Sequence, residues 1–86
     1  MTKLNMGCGI QILQNHINVD MKKGKGVDIV HDLNVFPYPW KDNSIEFILF
    51  DNTLEHLDDI PRIMKECNRI LINMRGKYPL EEANGK

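Results

Sequence analysis

The sequence predicts an α/β domain: the N-terminal half of a doubly wound parallel sheet, about four strands, with one main amphipathic helix. Three observations predict it. A short apolar run, Leu4-Asn5-Met6, enters the turn Gly7-Cys8-Gly9, which is how a strand ends when bare backbone must approach a ligand. The run His16-Ile17-Asn18-Val19-Asp20 ends in an acid soon afterwards, and a carboxylate at the tip of the second strand of such a sheet is placed for ribose hydroxyls. Further on, Ile60, Ile63, Met64, Cys67, Ile70, Leu71 and Met74 recur at three- and four-residue spacing, the apolar stripe of a helix.

The first strand spans residues 3–6. Residues 10–15 are too few for an ordinary parallel crossover, which takes a dozen or more residues and usually a helix. The crossover is therefore abbreviated, or the first two strands are not simple parallel neighbours. Asn15 stands where the chain turns into strand two, and asparagine tolerates the left-handed region. The second strand is 16–20, followed by the basic, glycine-punctuated loop Met21-Lys22-Lys23-Gly24-Lys25-Gly26, a solvated turn without the spacing of a Walker loop.

Val27 to Leu33 predicts the third strand by alternation. Phe36-Pro37-Tyr38-Pro39-Trp40 excludes helix and central strand, because two prolines remove donors; it reads as an apolar plug over the sheet. Ile45 to Phe50 is the fourth strand, a nearly continuous apolar run suited to burial on both faces. Leu54-Glu55-His56-Leu57 makes one helical turn. Asp58-Asp59-Ile60-Pro61 then starts a helix over 59–75: aspartate caps free N–H groups and proline is tolerated in the first turn. Gly76 is its stop. Residues 1–76 form one domain, and 77–86 read as a polar, mobile tail.

The 86 residues carry 11 basic and 12 acidic side chains, a net charge of −1. No overall field attracts nucleic acid or anionic lipid, and no apolar run approaches the ~20 residues that span a bilayer. No signal peptide precedes the first strand. Cys8 and Cys67 are too few for a disulfide framework and read as reduced thiols of a cytoplasmic protein. No metal site is expected: His31-Asp32 and Glu55-His56 are sequence neighbours without ligand spacing.

In order and with compatible spacing, residues 3–72 carry Leu4-Asn5-Met6-Gly7-Cys8-Gly9, Ile17-Asn18-Val19-Asp20, Val30-His31-Asp32-Leu33-Asn34, Asp42-Asn43-Ser44, Leu54-Glu55-His56-Leu57 and the helix Ile60 to Leu71. This ordered set resembles the short class I S-adenosylmethionine-dependent methyltransferases, of the type-11-like kind, with a Rossmann-like fold. The resemblance implies that S-adenosylmethionine is the cofactor. It implies that Gly7, Cys8 and Gly9 approach its methionine moiety, that Asp20 takes the ribose hydroxyls, and that Asp32 and Leu33 contact adenine. Asp51 and Asn52 would line the pocket near the transferred methyl. No catalytic base and no methyl acceptor is implied.

The chain departs from that pattern where Asn15-His16 replace glycine and an aromatic, and where residues 72–86 offer no further strand. Two readings follow: a methyltransferase or its cofactor-binding half, and a non-catalytic relative that binds the cofactor or acts as an interaction module. A nicotinamide-dependent oxidoreductase is a third and poor reading, since the third glycine of that fingerprint is missing and Asp20 comes too soon. Without a fifth strand, 45–50 becomes an apolar edge open to self-association.

Overall fold

The computed structural model describes residues 2–51, 53–72 and 80–82. Among the described residues the chain order is β1 (Lys3–Met6), β2 (Ile17–Asp20), β3 (Ile29–Val30), β4 (Phe47–Phe50), a 3-10 turn at Leu54–His56, the helix α1 (Ile60–Ile70) and β5 (Leu80–Glu82), with all five strands parallel. The sheet order is β3-β2-β1-β4-β5. The expected four-stranded parallel sheet with one helix is therefore present, and a three-residue fifth strand is added beside β4.

Register puts Leu4 beside Ile17 and Ile48, and Met6 beside Val19 and Phe50. Because side chains alternate across a strand, these residues share one face. Leu4, Met6, Val19, Ile48 and Phe50 form one core cluster with Ile63, Cys67 and Ile70 of α1. The helix starts where the sequence says: Asp59 Oδ1 accepts the Arg62 N–H at 3.1 Å, satisfying one of the free donors of the first turn.

The opposite face carries Asn5 and Asn18, paired in register and both buried. They explain how residues 7–16 join two parallel neighbours without a helix. Asn5 Nδ2 donates to the Gln11 carbonyl at 2.7 Å and to Asn18 Oδ1 at 2.9 Å. Asn18 Oδ1 also accepts from Leu13 N at 3.0 Å, and its Nδ2 returns a bond to the Leu13 carbonyl at 3.1 Å. The side-chain amides thus supply partners for the loop backbone that a helix would supply for itself. Asn15 turns the chain at φ 62°, as its position predicts.

Four sequence expectations are corrected. The third strand shortens from 27–33 to Ile29–Val30, because Asp32 folds back: its Oδ1 accepts from Asn34 N and its carbonyl from Val35 N, each at 2.9 Å. The fourth strand begins at Phe47; Ile45 instead makes an isolated bridge with Leu71. The helix ends at Ile70 rather than near 75. Its last carbonyls are taken by the turn before β4, with Asn43 N donating to Arg69 O and Ser44 N and Ile45 N to Ile70 O at 2.8–3.0 Å. Met74 and Gly76, also assigned to that helix and its stop, lie outside the described residues.

The fourth correction concerns 77–86. Within it Leu80–Glu82 pairs with Ile48–Phe50, and the rest of the stretch lies outside the described residues. Of the open edge expected at 45–50, Ile48–Phe50 is therefore covered. No apolar alternation in 77–86 announces the strand; the backbone groups along the outer side of β4 supply its partners, and these are independent of side-chain pattern.

Candidate functional site

Parallel strands leave their carboxyl ends on one side of the sheet, and the crevice there is where such folds bind ligands. A cleft of about 270 Å³ lies there, lined by Gly7, Asp20, Met21, His31, Asp32, Leu33, Asn34, Thr53, His56 and Leu57. Four sequence-predicted residues, Gly7, Asp20, Asp32 and Leu33, thus meet at one site. They do so because each stands just past, or at the end of, β1, β2 or β3.

Gly7 sits at φ +68°, a conformation open to glycine. A Cβ there would lie 2.5 Å from Thr53 Cγ2 and 2.6 Å from Thr53 Oγ1. Thr53 is packed against the bare glycine, and its Oγ1 donates to the Asp51 carbonyl at 2.9 Å. Gly9 has φ +53°. Its N–H donates to Asp20 Oδ2 at 2.6 Å, and Met21 N–H donates to Asp20 Oδ1 at 2.6 Å. Both carboxylate oxygens are thereby oriented by backbone, a charge-assisted arrangement.

Cys8 is buried and is not part of the cleft wall. Its N–H continues the sheet ladder to the Val19 carbonyl at 2.9 Å. Burial, and then the charge of Asp20, push its thiol above the usual value. Asp51, expected at the methyl end, is not in the wall either, whereas Thr53 is. Asn52 lies outside the described residues.

Behind the wall sits Tyr38, 2% exposed. Its hydroxyl donates to the Leu33 carbonyl at 2.9 Å, and its ring meets that of His31 edge-on at 5.6 Å. Burial raises the phenol's pKa well above the ordinary tyrosine value, keeping it a donor. The aromatic-proline loop is thus the expected plug, and it also buttresses two cleft residues.

The sequence reading missed Met21, His31, Asn34, Thr53, His56 and Leu57 as cleft residues. His31 and Asn34 flank Asp32-Leu33 directly, so adjacency was the available signal. Thr53, His56 and Leu57 come from the segment after β4, and only the fold brings them opposite β2 and β3. Among the described residues, no group of three or more His, Cys, Asp or Glu is arranged to hold a metal ion.

A family model described as a methyltransferase domain matches residues 4–74. No curated protein matches the chain, and no solved structure does.

Proposed function

We infer the function from one premise: this chain belongs to the methyltransferase-domain family, matched over residues 4–74. From it we propose that the cleft binds S-adenosylmethionine and that the domain serves methyl transfer to an acceptor. The observation that carries the reading is the pairing of Asp20, anchored to Gly9 at 2.6 Å, with Asp32 and Leu33 in one cleft at the strand carboxyl ends.

The residues present fit that cofactor. Each Asp20 oxygen accepts one backbone N–H, and a carboxylate has about four acceptor sites in all, so ribose hydroxyls retain partners. Asp32 has Oδ1 engaged by Asn34 N–H, which leaves Oδ2 for an exocyclic amine. Leu33 supplies an apolar wall, buttressed by Tyr38. At about 270 Å³ the cleft falls just below the ~300 Å³ at which pockets enclose a drug-sized ligand, so it suits part of such a ligand and leaves the rest open.

When bound, the cofactor supplies a methyl group already activated by its sulfonium. The protein's part is then to position rather than to activate. Asp20 and Asp32 fix the two ends of the nucleoside, while Gly7 keeps the floor free of side chains. A cytoplasmic setting belongs to the same proposal and is supported by the two free cysteines, Cys8 and Cys67. Among the described residues no helix is long and apolar enough to cross a membrane.

Calorimetric titration with S-adenosylhomocysteine tests the reading. Asp20→Ala loses charge-assisted bonds worth ~1.5–3 kcal/mol and weakens binding about 10- to 150-fold. Glu46→Ala, at the start of the β4 segment and absent from the cleft wall, leaves binding unchanged. Equal effects of the two substitutions refute the assignment.

A further inference from the structure

Away from the cleft, a groove of about 420 Å³ lies between α1 and the aromatic-proline loop, lined by Phe36, Pro37, Arg62, Lys65, Glu66 and Arg69. The two concavities share no lining residue, so the chemistry of the groove is independent of what the cleft holds. Its volume falls within the ~300–1,000 Å³ of pockets that take small ligands. The helix sets its lining: residues 62, 65, 66 and 69 recur at three- and four-residue spacing, which makes them neighbours on the helix surface.

The charges in this row are not equivalent. Glu66 and Arg69 are spent on each other and on the loop. Both Glu66 oxygens accept from Arg69, and Oε1 also accepts the Tyr38 N–H. The remaining Arg69 donors go to the Tyr38 and Trp40 carbonyls and to Asp42. Arg62 and Lys65 are both exposed. Among the described residues neither enters an ion pair, and no oxygen accepts from either side chain. Asp59 Oδ1 takes the backbone N–H of Arg62 at 3.1 Å, as the helix cap.

Arg62 is nonetheless held in place. Its Cζ lies 4.5 Å from the centroid of the Phe36 ring, a cation–π contact. Phe36 is itself stacked on the buried Tyr38, with centroids 5.3 Å apart and 18° between the planes. A guanidinium ordered against a ring, with its fork unclaimed, suits bidentate capture of phosphate, and part of the ordering cost is met before a ligand arrives. Lys65, one turn further along α1, brings a second cation to the same groove. Beside a neutralised Glu66–Arg69 pair, two unmatched cations complement the charge of a phosphomonoester, about −1.5 to −2 near neutral pH, better than that of a single carboxylate.

We propose that this groove binds the phosphate group of a small phosphomonoester, with the Arg62 fork on two of its oxygens and Lys65 supplying the second charge. Phe36 and Pro37 border the organic part of the ligand.

Nitrogen-15 NMR of the full chain at low ionic strength, following the arginine Nε–H signals, decides it. The probes are phenyl phosphate, inorganic phosphate and acetate. The expected result is a saturable shift of the Arg62 signal with a dissociation constant below about 1 mM for phenyl phosphate, and no comparable shift of the Arg69 signal, whose donor is held by Glu66. Arg62→Met should weaken binding about tenfold or more and Lys65→Met about fivefold, while Lys22→Met, a lysine outside the groove, leaves it unchanged. No saturation of the Arg62 signal by about 10 mM phenyl phosphate overturns the inference. Acetate binding as tightly as the phosphates overturns it, and so does a loss from Lys22→Met equal to that from Lys65→Met, which is the signature of net charge alone. The signal in the unsubstituted chain and the exposed Lys65 variant decide the matter even if Arg62→Met lowers the melting temperature.

Discussion

Arg69 is a side chain whose removal has a calculable effect. A guanidinium carries five N–H donors, and here each has an acceptor. Nε donates to Glu66 Oε2 and Nη2 to Glu66 Oε1, both at 2.9 Å. Nη2 also donates to the Tyr38 carbonyl at 3.1 Å, and Nη1 to the Trp40 carbonyl at 3.0 Å and Asp42 Oδ1 at 2.7 Å. Glu66 Oε1 in turn accepts the Tyr38 N–H at 2.8 Å. One ion pair on α1 therefore grips the aromatic loop from Tyr38 to Asp42.

Charge-assisted bonds contribute about 1.5–3 kcal/mol each when desolvated, but not all of these are. The Asp42 side chain is 71% exposed, so its bond counts for at most ~0.5 kcal/mol. The Glu66 pair, at 29% and 15% exposure, and the two carbonyls are partly desolvated and act as a unit, so their contributions do not add in full. Arg69→Met keeps the stem and removes the donors, and should cost about 2–4 kcal/mol. A domain of this length has roughly 4–13 kcal/mol in all at ~0.05–0.15 per residue. Urea unfolding followed by the fluorescence of Trp40, the single tryptophan, measures the loss. Arg69→Lys should recover less than half, since a point charge cannot reproduce the fork. A loss below about 0.5 kcal/mol for Arg69→Met refutes the account.

Acid should act on the same pair. The hydrogen bond from Arg69 lowers the folded Glu66 pKa below the usual carboxylate value, so its stabilisation is complete above the unfolded value of ~4.3 and is lost as pH falls through the lower folded value; Glu66→Gln should flatten the stability profile in that window. Gly7→Ala places a methyl 2.5 Å from Thr53 Cγ2 at φ +68°. It should destabilise the fold by a few kcal/mol in thermal melts, with only the steric part recovered by adding Thr53→Ala and a left-handed penalty of ~1–2 kcal/mol remaining. Truncation after residue 72 removes β5 and uncovers Ile48–Phe50, an apolar edge without lysine or proline. Sedimentation velocity should find the truncated chain associating more strongly than the full one, whose outer strand is short and carries Glu81 and Glu82; equal behaviour of the two counts against this pairing.

What the sequence disclosed follows from what alternation can report. Leu4 and Met6, Ile48 and Phe50, and Ile63, Cys67 and Ile70 announce the faces that meet, and so the sheet and helix are legible. Gly7, Asp20, Asp32 and Leu33 are legible as a site because each stands at or near a strand end, where a parallel sheet puts its crevice. Polar partnership is the part that a linear pattern hides. Asn5 and Asn18 look like flaws in apolar strands, yet their register makes them one buried pair, and that pair replaces the missing crossover helix. Cys8 and Asp51 follow strands as Gly7 and Asp20 do, but Cys8 is buried and neither lines the cleft, whereas Thr53 does. The same asparagine pair shapes the loop that follows the glycine turn. By holding residues 11–13 as a loop with Leu13 N–H engaged, it lets the chain pass from the glycine turn to β2 with no helix between them.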